Sequence, residues 1–240
     1  MIVLTGGSGR LGTELQTLLP EALAPNSREL DVTSEESVMS YVRGVRPSVI
    51  VHAAAYTNVG AAEREREACW RVNVVGTRHV VRAAHDIGAK LVHVSTDYVF
   101  DGERGGYTEE DPLGPPINYY ALSKLVAEEV ARTAPRHLVV RTSFRPREWP
   151  YETAFTDVFT SQDYVDVIAP DIALIVRNAL EIDAPTLHVA TERKSVFDLA
   201  RRRKPDVRPG ARGQVGVRMP SDVSLDTTRW QALKASLQER

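Results

Sequence analysis

The stretch Thr5-Gly-Gly-Ser-Gly-Arg-Leu-Gly12 follows directly on the apolar Ile2-Val3-Leu4 and limits the folds open to this chain. Its glycines can be read as Gly7-x-Gly9-x-x-Gly12 or as Gly6-x-x-Gly9-x-x-Gly12, and both registers place them between a first strand and the start of a helix. Glycine permits a tight turn and lets the backbone approach a pyrophosphate, whose charge then meets free N–H groups and the positive end of the helix dipole. The stretch therefore predicts a dinucleotide cradle built by Gly6, Gly7, Gly9, Arg10, Leu11 and Gly12. A plain strand-to-helix turn would also use glycine, so the surrounding pattern decides between the two.

That pattern is an alternation of short apolar runs with longer segments of helical period, the mark of a parallel sheet covered by helices on both faces. Strands are predicted at Ile2–Thr5, Val49–Ala53, Leu91–Ser95, Leu138–Arg141 and Thr186–Ala190, with a weaker one at Ala22–Ala24. Leu11, Leu15, Leu18 and Leu19 share a helical face; Thr33 with Glu36 forms a capping box for a helix ending before Gly44. Further helices are predicted over Ala62–His85, Tyr120–Arg132, Asp171–Leu180 and Ser195–Arg203, and a strand over Tyr164–Ile168. Prolines mark Asp111–Pro116 and Arg145–Pro150 as loops. The fold class is α/β: a doubly wound, Rossmann-like parallel sheet with a small C-terminal substrate lobe. Residues 1–145 form the dinucleotide-binding core, and 146–240 complete the sheet and form the reduced lobe.

A formal net charge of −2 gives no global pull toward nucleic acid or an anionic membrane, and no apolar run is long enough to cross a bilayer. Neither partner is expected. Cys69 is the single cysteine, which excludes an intrachain disulfide, and the N-terminus lacks the features of a signal peptide, so the cytoplasm is the expected location.

A second cluster lies at Tyr120-Ala-Leu-Ser-Lys124, whose i, i+4 spacing puts a phenol and an ammonium on one helical face. The positive charge is expected to favour ionisation of the tyrosine. The strand Leu91–Thr96 ends in a hydroxyl at the carboxyl edge of the sheet, where open α/β folds bind ligands. The second strand leads into Pro25-Asn-Ser-Arg28 with no acid until Glu29, and Arg10 sits in the glycine turn, so NADP(H) is favoured over NAD(H).

Together the glycine stretch, Asp31-Val32, Val51–Tyr56, Asn73 within WRVNVVGT, STDYVFDG at Ser95–Gly102 and the Tyr120/Lys124 pair resemble an extended short-chain dehydrogenase/reductase. More narrowly, AAAYTNV and STDYVFDG resemble the dTDP-4-dehydrorhamnose reductase family, a likeness covering about the first 145 residues and returning in Arg218–Asp226. The resemblance implies that Tyr120 donates a proton to a substrate carbonyl, that Lys124 lowers the tyrosine pKa and holds the nicotinamide ribose, and that Thr96 polarises the carbonyl. It also implies a proton relay supported by Asn73, an adenine flanked by Asp31 and Val32, and Ala53, Ala54 and Ala55 under the cofactor. Arg28 near the second strand, with Thr142 and Ser143 beside the nicotinamide, completes the cofactor set; Asp97, Tyr98 and Phe144 border the substrate, a sugar derivative that is nucleotide-linked.

Phe144 stands where that family usually carries tryptophan, and the chain is shorter than those reductases after residue 145. The short lobe predicts an open cleft bordered by Tyr98, Phe144 and Trp149–Phe155, which a homodimer or a partner chain could complete. The same shortening keeps open a second reading, a non-catalytic cofactor-binding subunit resembling the β subunit of methionine adenosyltransferase. The six histidines lack metal-ligand spacing, so no metal is expected, and His52 and His93 read as satisfied strand residues. Arg201–Lys204 reads as a solvated helix end, Glu63–Glu67 as a salt-bridged helix face, and Trp70, Trp149 and Trp230 as packing residues.

Overall fold

The structure, a computed structural model, describes residues 1–214 and 219–239; of the closing segment singled out in the sequence, Arg218 lies outside the described residues. The chain opens with β1 (Ile2–Thr5), α1 (Arg10–Leu18), β2 (Ala22–Leu23), α2 (Glu35–Val45) and β3 (Val49–His52). Then come α3 (Val59–Ala62), α4 (Arg66–Trp70), a π-helical turn (Arg71–Val75), α5 (Gly76–Ile87), β4 (Lys90–Thr96), α6 (Tyr119–Arg132) and β5 (His137–Thr142). Short strands β6 (Phe144–Arg145), β7 (Thr153–Phe155), β8 (Phe159–Thr160) and β9 (Asp163–Tyr164) lead to α7 (Val165–Arg177) and β10 (Thr186–Val189). The remainder comprises β11 (Lys194–Ser195), α8 (Val196–Arg201), β12 (Arg208–Gly210) and α9 (Thr228–Gln238).

The main sheet has six strands in the order β10-β5-β4-β3-β1-β2, all parallel. From β1 the chain moves to one side for β2 and returns to the other for β3, so a crevice opens beyond the carboxyl ends of β1 and β3. Strands buried on both faces read as continuous apolar runs, with successive side chains sent to opposite layers. Thus Leu4, Val51 and Val92 join a core with Leu11, Leu15, Ile168, Ile172 and Trp230, whereas Val3, Ile50 and Leu91 join one with Val38, Val42, Val80 and Ala84. The lobe is tied together by β6 with β9, β7 with β12, and β8 with β11.

Several sequence-based boundaries are corrected. Ser34, not Thr33, caps α2, accepting from the Ser37 N–H at 3.2 Å, and α2 runs through Gly44 to a left-handed Arg46 at φ 49°. The helix expected over Ala62–His85 is divided into α3, α4, the π-helical turn and α5. The strand expected at Tyr164–Ile168 is confined to β9, because Val165, Ile168, Ala169, Ile172, Ala173 and Val176 form one helical stripe that is buried while Val167 faces out. Arg145, placed in a loop by the sequence, pairs in β6 with Tyr164. The sequence did not anticipate α9, which docks the fully buried Trp230 with its Nε1 donating to Asp171 at 2.8 Å. The basic run is ion-paired rather than merely solvated: Arg202 with Asp163 at 2.8 Å and Arg203 with Asp166 at 2.8 Å.

Candidate active site

A cleft of about 770 Å³ runs along the carboxyl edge of the sheet, from the glycine turn to Phe144 and Gln162. At its first end two glycines are dictated by close approach. Gly6 has φ +78°, and a Cβ on it would lie 2.5 Å from the Ala54 nitrogen; a Cβ on Gly12 would lie 2.2 Å from the Gly6 carbonyl oxygen. The turn, α1 and the Ala53–Ala55 segment after β3 therefore meet backbone to backbone. Gly9 caps α1 with an extended backbone and no capping side chain, leaving the first-turn N–H groups toward the cleft. Arg10 is exposed and has no ion pair among the described residues. Asn26, Ser27, Asp31, Val32 and Thr33 form the next wall. The Asp31 carboxylate accepts from the Thr33 N–H and hydroxyl, both at 2.8 Å. Arg28 does not line the cleft: its side chain is exposed and its N–H donates to Asn26 Oδ1 at 2.9 Å.

The second end gathers Thr96, Tyr98, Tyr120, Lys124, Thr142, Ser143 and Phe144. Asn118 caps α6 by accepting from Ala121 N–H at 2.8 Å, which fixes where the first turn of that helix presents Tyr120. Lys124 reaches across to donate to the Val94 carbonyl at 2.8 Å. Tyr98 and Tyr120 meet edge to face with ring centroids 6.1 Å apart. Asp97 and Asn73 stand behind this wall rather than in it. Thr96 donates to Asp97 at 3.0 Å. Asn73, in the π-helical turn, accepts from Tyr56 N–H at 2.8 Å and donates to Ser123 at 2.9 Å, while Ser123 donates to the Tyr120 carbonyl at 2.7 Å. The irregular turn thus braces both the Tyr56 loop and the helix that bears Tyr120.

Burial governs the titrating groups. It pushes the Tyr120 phenol well above its usual range, Asp97 and Tyr98 add to the rise, and the hydrogen bond with Thr96 opposes it. The expected ionisation of this tyrosine by Lys124 is not found: loss of water around the phenol and the nearby Asp97 both favour its neutral form. Burial lowers Lys124 to about 8, against the pull of Glu128. Asp97 is raised to about 6 by burial, with hydrogen bonds from Thr96 and Ser143 and the charge of Arg145 acting the other way. His52 is satisfied by Thr5 at 2.8 Å and Thr77 at 3.1 Å, but both ring nitrogens of buried His93 lack partners among the described residues, so His93 is not the satisfied histidine the sequence suggested.

Two further corrections concern the substrate side. Trp149–Phe155 does not border the cleft, because Trp149 and Ala154 are buried against Val196, Ala200 and Val207 in a small core of the lobe. Arg145 and Gln162 do line it, and the sequence reading missed both; Arg145 carried a signal, as a cation immediately after Arg141-Thr-Ser-Phe144. Among the described residues no cluster of three or more His, Cys, Asp or Glu is placed to hold a metal ion, and no helix is long and apolar enough to cross a membrane. A dinucleotide fits the cleft: the glycine cradle lies at one end, and at the other the buried Thr142 hydroxyl is without a partner among the described residues.

The structure resembles that of dTDP-4-dehydrorhamnose reductase from Bacillus anthracis in complex with NADP, with a TM-score of 0.86 and 28% identity over 99% of this chain and 97% of that one. It also resembles a hypothetical dTDP-4-dehydrorhamnose reductase from Sulfolobus tokodaii, with a TM-score of 0.84 and 35% identity over 97% of this chain and 94% of that one. In sequence, 179 residues are 35% identical to the dTDP-4-dehydrorhamnose reductase of Aggregatibacter actinomycetemcomitans, covering 71% of this chain and 61% of that protein. The match thus spans about three fifths of the relative's length. The model of the RmlD substrate binding domain family matches residues 1–235, and the chain belongs to that family.

Proposed function

We propose that the protein is an NADP(H)-dependent reductase of a keto group on a nucleotide-linked sugar, of the kind dTDP-4-dehydrorhamnose reductases act on. The observation that carries this reading is the meeting of Thr96, Tyr120 and Lys124 at one end of a cleft whose other end is the glycine cradle. A bound NADPH supplies the hydride to the carbonyl carbon. Tyr120, protonated at neutral pH as any ordinary tyrosine is and made a weaker acid by its burial, donates its proton to the carbonyl oxygen as charge develops there. Thr96 holds the phenol and shares the polarisation of that oxygen, while Lys124, still largely cationic at neutral pH, fixes the ribose side of the site and helps return a proton to Tyr120. Asn73 holds the Tyr56 loop and α6 in register for this. Arg10, without an ion pair among the described residues, lies beside the cradle and suits a 2′-phosphate, which favours NADPH over NADH. The reductase names of the relatives favour this reading over a non-catalytic subunit.

The test is loss of NADPH absorbance with a panel of nucleotide-linked keto sugars, dTDP-4-dehydrorhamnose first. Oxidation dependent on the sugar supports the proposal, and a cofactor-loaded protein inert toward the whole panel overturns it. Parallel titrations with NADPH and NADH decide the cofactor; tighter NADH binding refutes the role given to Arg10.

A further inference from the structure

Arg145 differs from its ion-paired neighbours in the lobe. Arg147 pairs with Glu14 at 2.7 Å, Arg202 with Asp163 at 2.8 Å and Arg203 with Asp166 at 2.8 Å. Arg145 is more enclosed than Arg147, yet among the described residues its side chain has no ion pair and donates no hydrogen bond, and its Nε is buried without a partner. Its guanidinium stands over the Trp149 ring at 5.4 Å from the centroid, within cation–π range. The indole Nε1 of Trp149 is likewise buried and without a partner among the described residues, in a side chain only 7% exposed. Arg145 lines the cleft beside Phe144, and its charge is felt at Asp97 and Tyr98. Asp97 does not neutralise it by contact, because that carboxylate is held by the hydroxyls of Thr96 and Ser143. A half-buried guanidinium without a counter-ion is costly to a fold, and a chain that keeps one at the mouth of a site leaves it to be paired by what enters.

We propose that Arg145 is the anion anchor of the substrate subsite: its planar fork takes an oxyanion carried by the sugar substrate, a phosphate of the nucleotide link or a carboxylate on the sugar, on the Phe144 side of Tyr98. The proposal rests on the reductase reading for the identity of the site. Anchoring through one cation supplies substrate binding, and it positions the carbonyl against Tyr120.

The experiment is calorimetry of the NADPH-loaded protein with dTDP, with inorganic pyrophosphate and with D-glucuronate, using D-glucose as the uncharged control, on wild type, Arg145→Gln and Arg145→Lys. NADPH titration of each variant checks that the fold and cofactor end are intact. The expected result is saturable binding of at least one anion, weakened about 10- to 100-fold in Arg145→Gln and partly retained in Arg145→Lys, with NADPH affinity unchanged. Selective binding of dTDP and pyrophosphate identifies a phosphate, and selective binding of glucuronate a carboxylate. Equal anion affinity in wild type and Arg145→Gln overturns the proposal, as does absence of binding of all three anions to wild type. Arg145-dependent anion binding without turnover of any keto sugar would sink the reductase reading alone; turnover with a KM indifferent to Arg145→Gln would sink this inference alone.

Discussion

Tyr120 and Asp97 show how little of a site's chemistry follows from residue spacing. Spacing placed an ammonium one helical turn from the phenol, but burial dominates its acidity, and the phenol is a weaker acid than a free tyrosine. A protonated phenol is the form a carbonyl reduction consumes, so Tyr120→Phe is expected to lower turnover by about two to four orders of magnitude while leaving NADPH affinity unchanged. Turnover equal to wild type would remove Tyr120 from the chemistry. Asp97 carries a separate pH signature. Its folded pKa of about 6 lies above the ordinary 3.8, so the native state holds a proton that the unfolded chain releases between those values, and stability falls as pH rises through that window. Asp97→Asn removes this penalty. Its stability relative to wild type should therefore improve by up to about 3 kcal/mol between pH 4 and pH 7, read as urea midpoints across that range. A constant difference across the range would show that Asp97 titrates as an ordinary carboxylate.

Elements built from one unbroken apolar run were legible in the sequence; those whose form depends on a distant partner were not. The main strands and the glycine turn were located from apolar runs and glycine spacing alone, because each is fixed by its own backbone and its burial on both faces. The π-helical turn was missed, since its extra residue answers to Tyr56 and Ser123, which lie far away in the chain. Tyr164–Ile168 was misread because Val165 and Val167 alternate like a strand, and only the packing of α7 against α1 shows that Val167 is the outward residue. Arg145 escaped notice because a missing partner cannot be read from a sequence. At the turn itself, Gly12→Ala puts a methyl group 2.2 Å from a carbonyl oxygen, so a loss of about 1–3 kcal/mol in stability is expected together with loss of NADPH binding. Normal NADPH titration of that variant would show that the turn can yield. Behind the catalytic wall, Glu128 joins three elements by accepting from Ser95 at 2.6 Å on β4 and pairing with Arg141 at 2.7 Å on β5, itself lying on α6. Glu128→Gln leaves Arg141, 1% exposed, without its counter-charge, and a cost of about 3–5 kcal/mol is expected in chemical denaturation.

At the scale of the whole molecule, the two ends of the chain share one core. Trp230 of α9 is fully buried in the cluster that contains Leu4 of β1 and Leu11 of α1. Trp230→Ala should therefore cost about 3–5 kcal/mol and lower the melting temperature of the entire sheet in one transition, with no separate unfolding of the C-terminal segment. Two resolved calorimetric transitions would show that the C-terminal region melts on its own. Near the cleft, the connection from sheet to lobe is short: β5 ends at Thr142, Ser143 follows, and Phe144 and Arg145 already belong to β6. The residues assigned to the nicotinamide and those facing the sugar are thus consecutive on one taut ribbon, with no slack between them. A change that shifts the backbone at residue 144 or 145 to suit a different sugar must also tug on the seat of the nicotinamide, whereas a side-chain exchange at Arg145 alone leaves that seat in place. Inheritance of a new substrate by such a backbone shift is consequently bound to retuning of its coenzyme, and laboratory evolution for one should recover compensating changes at the other.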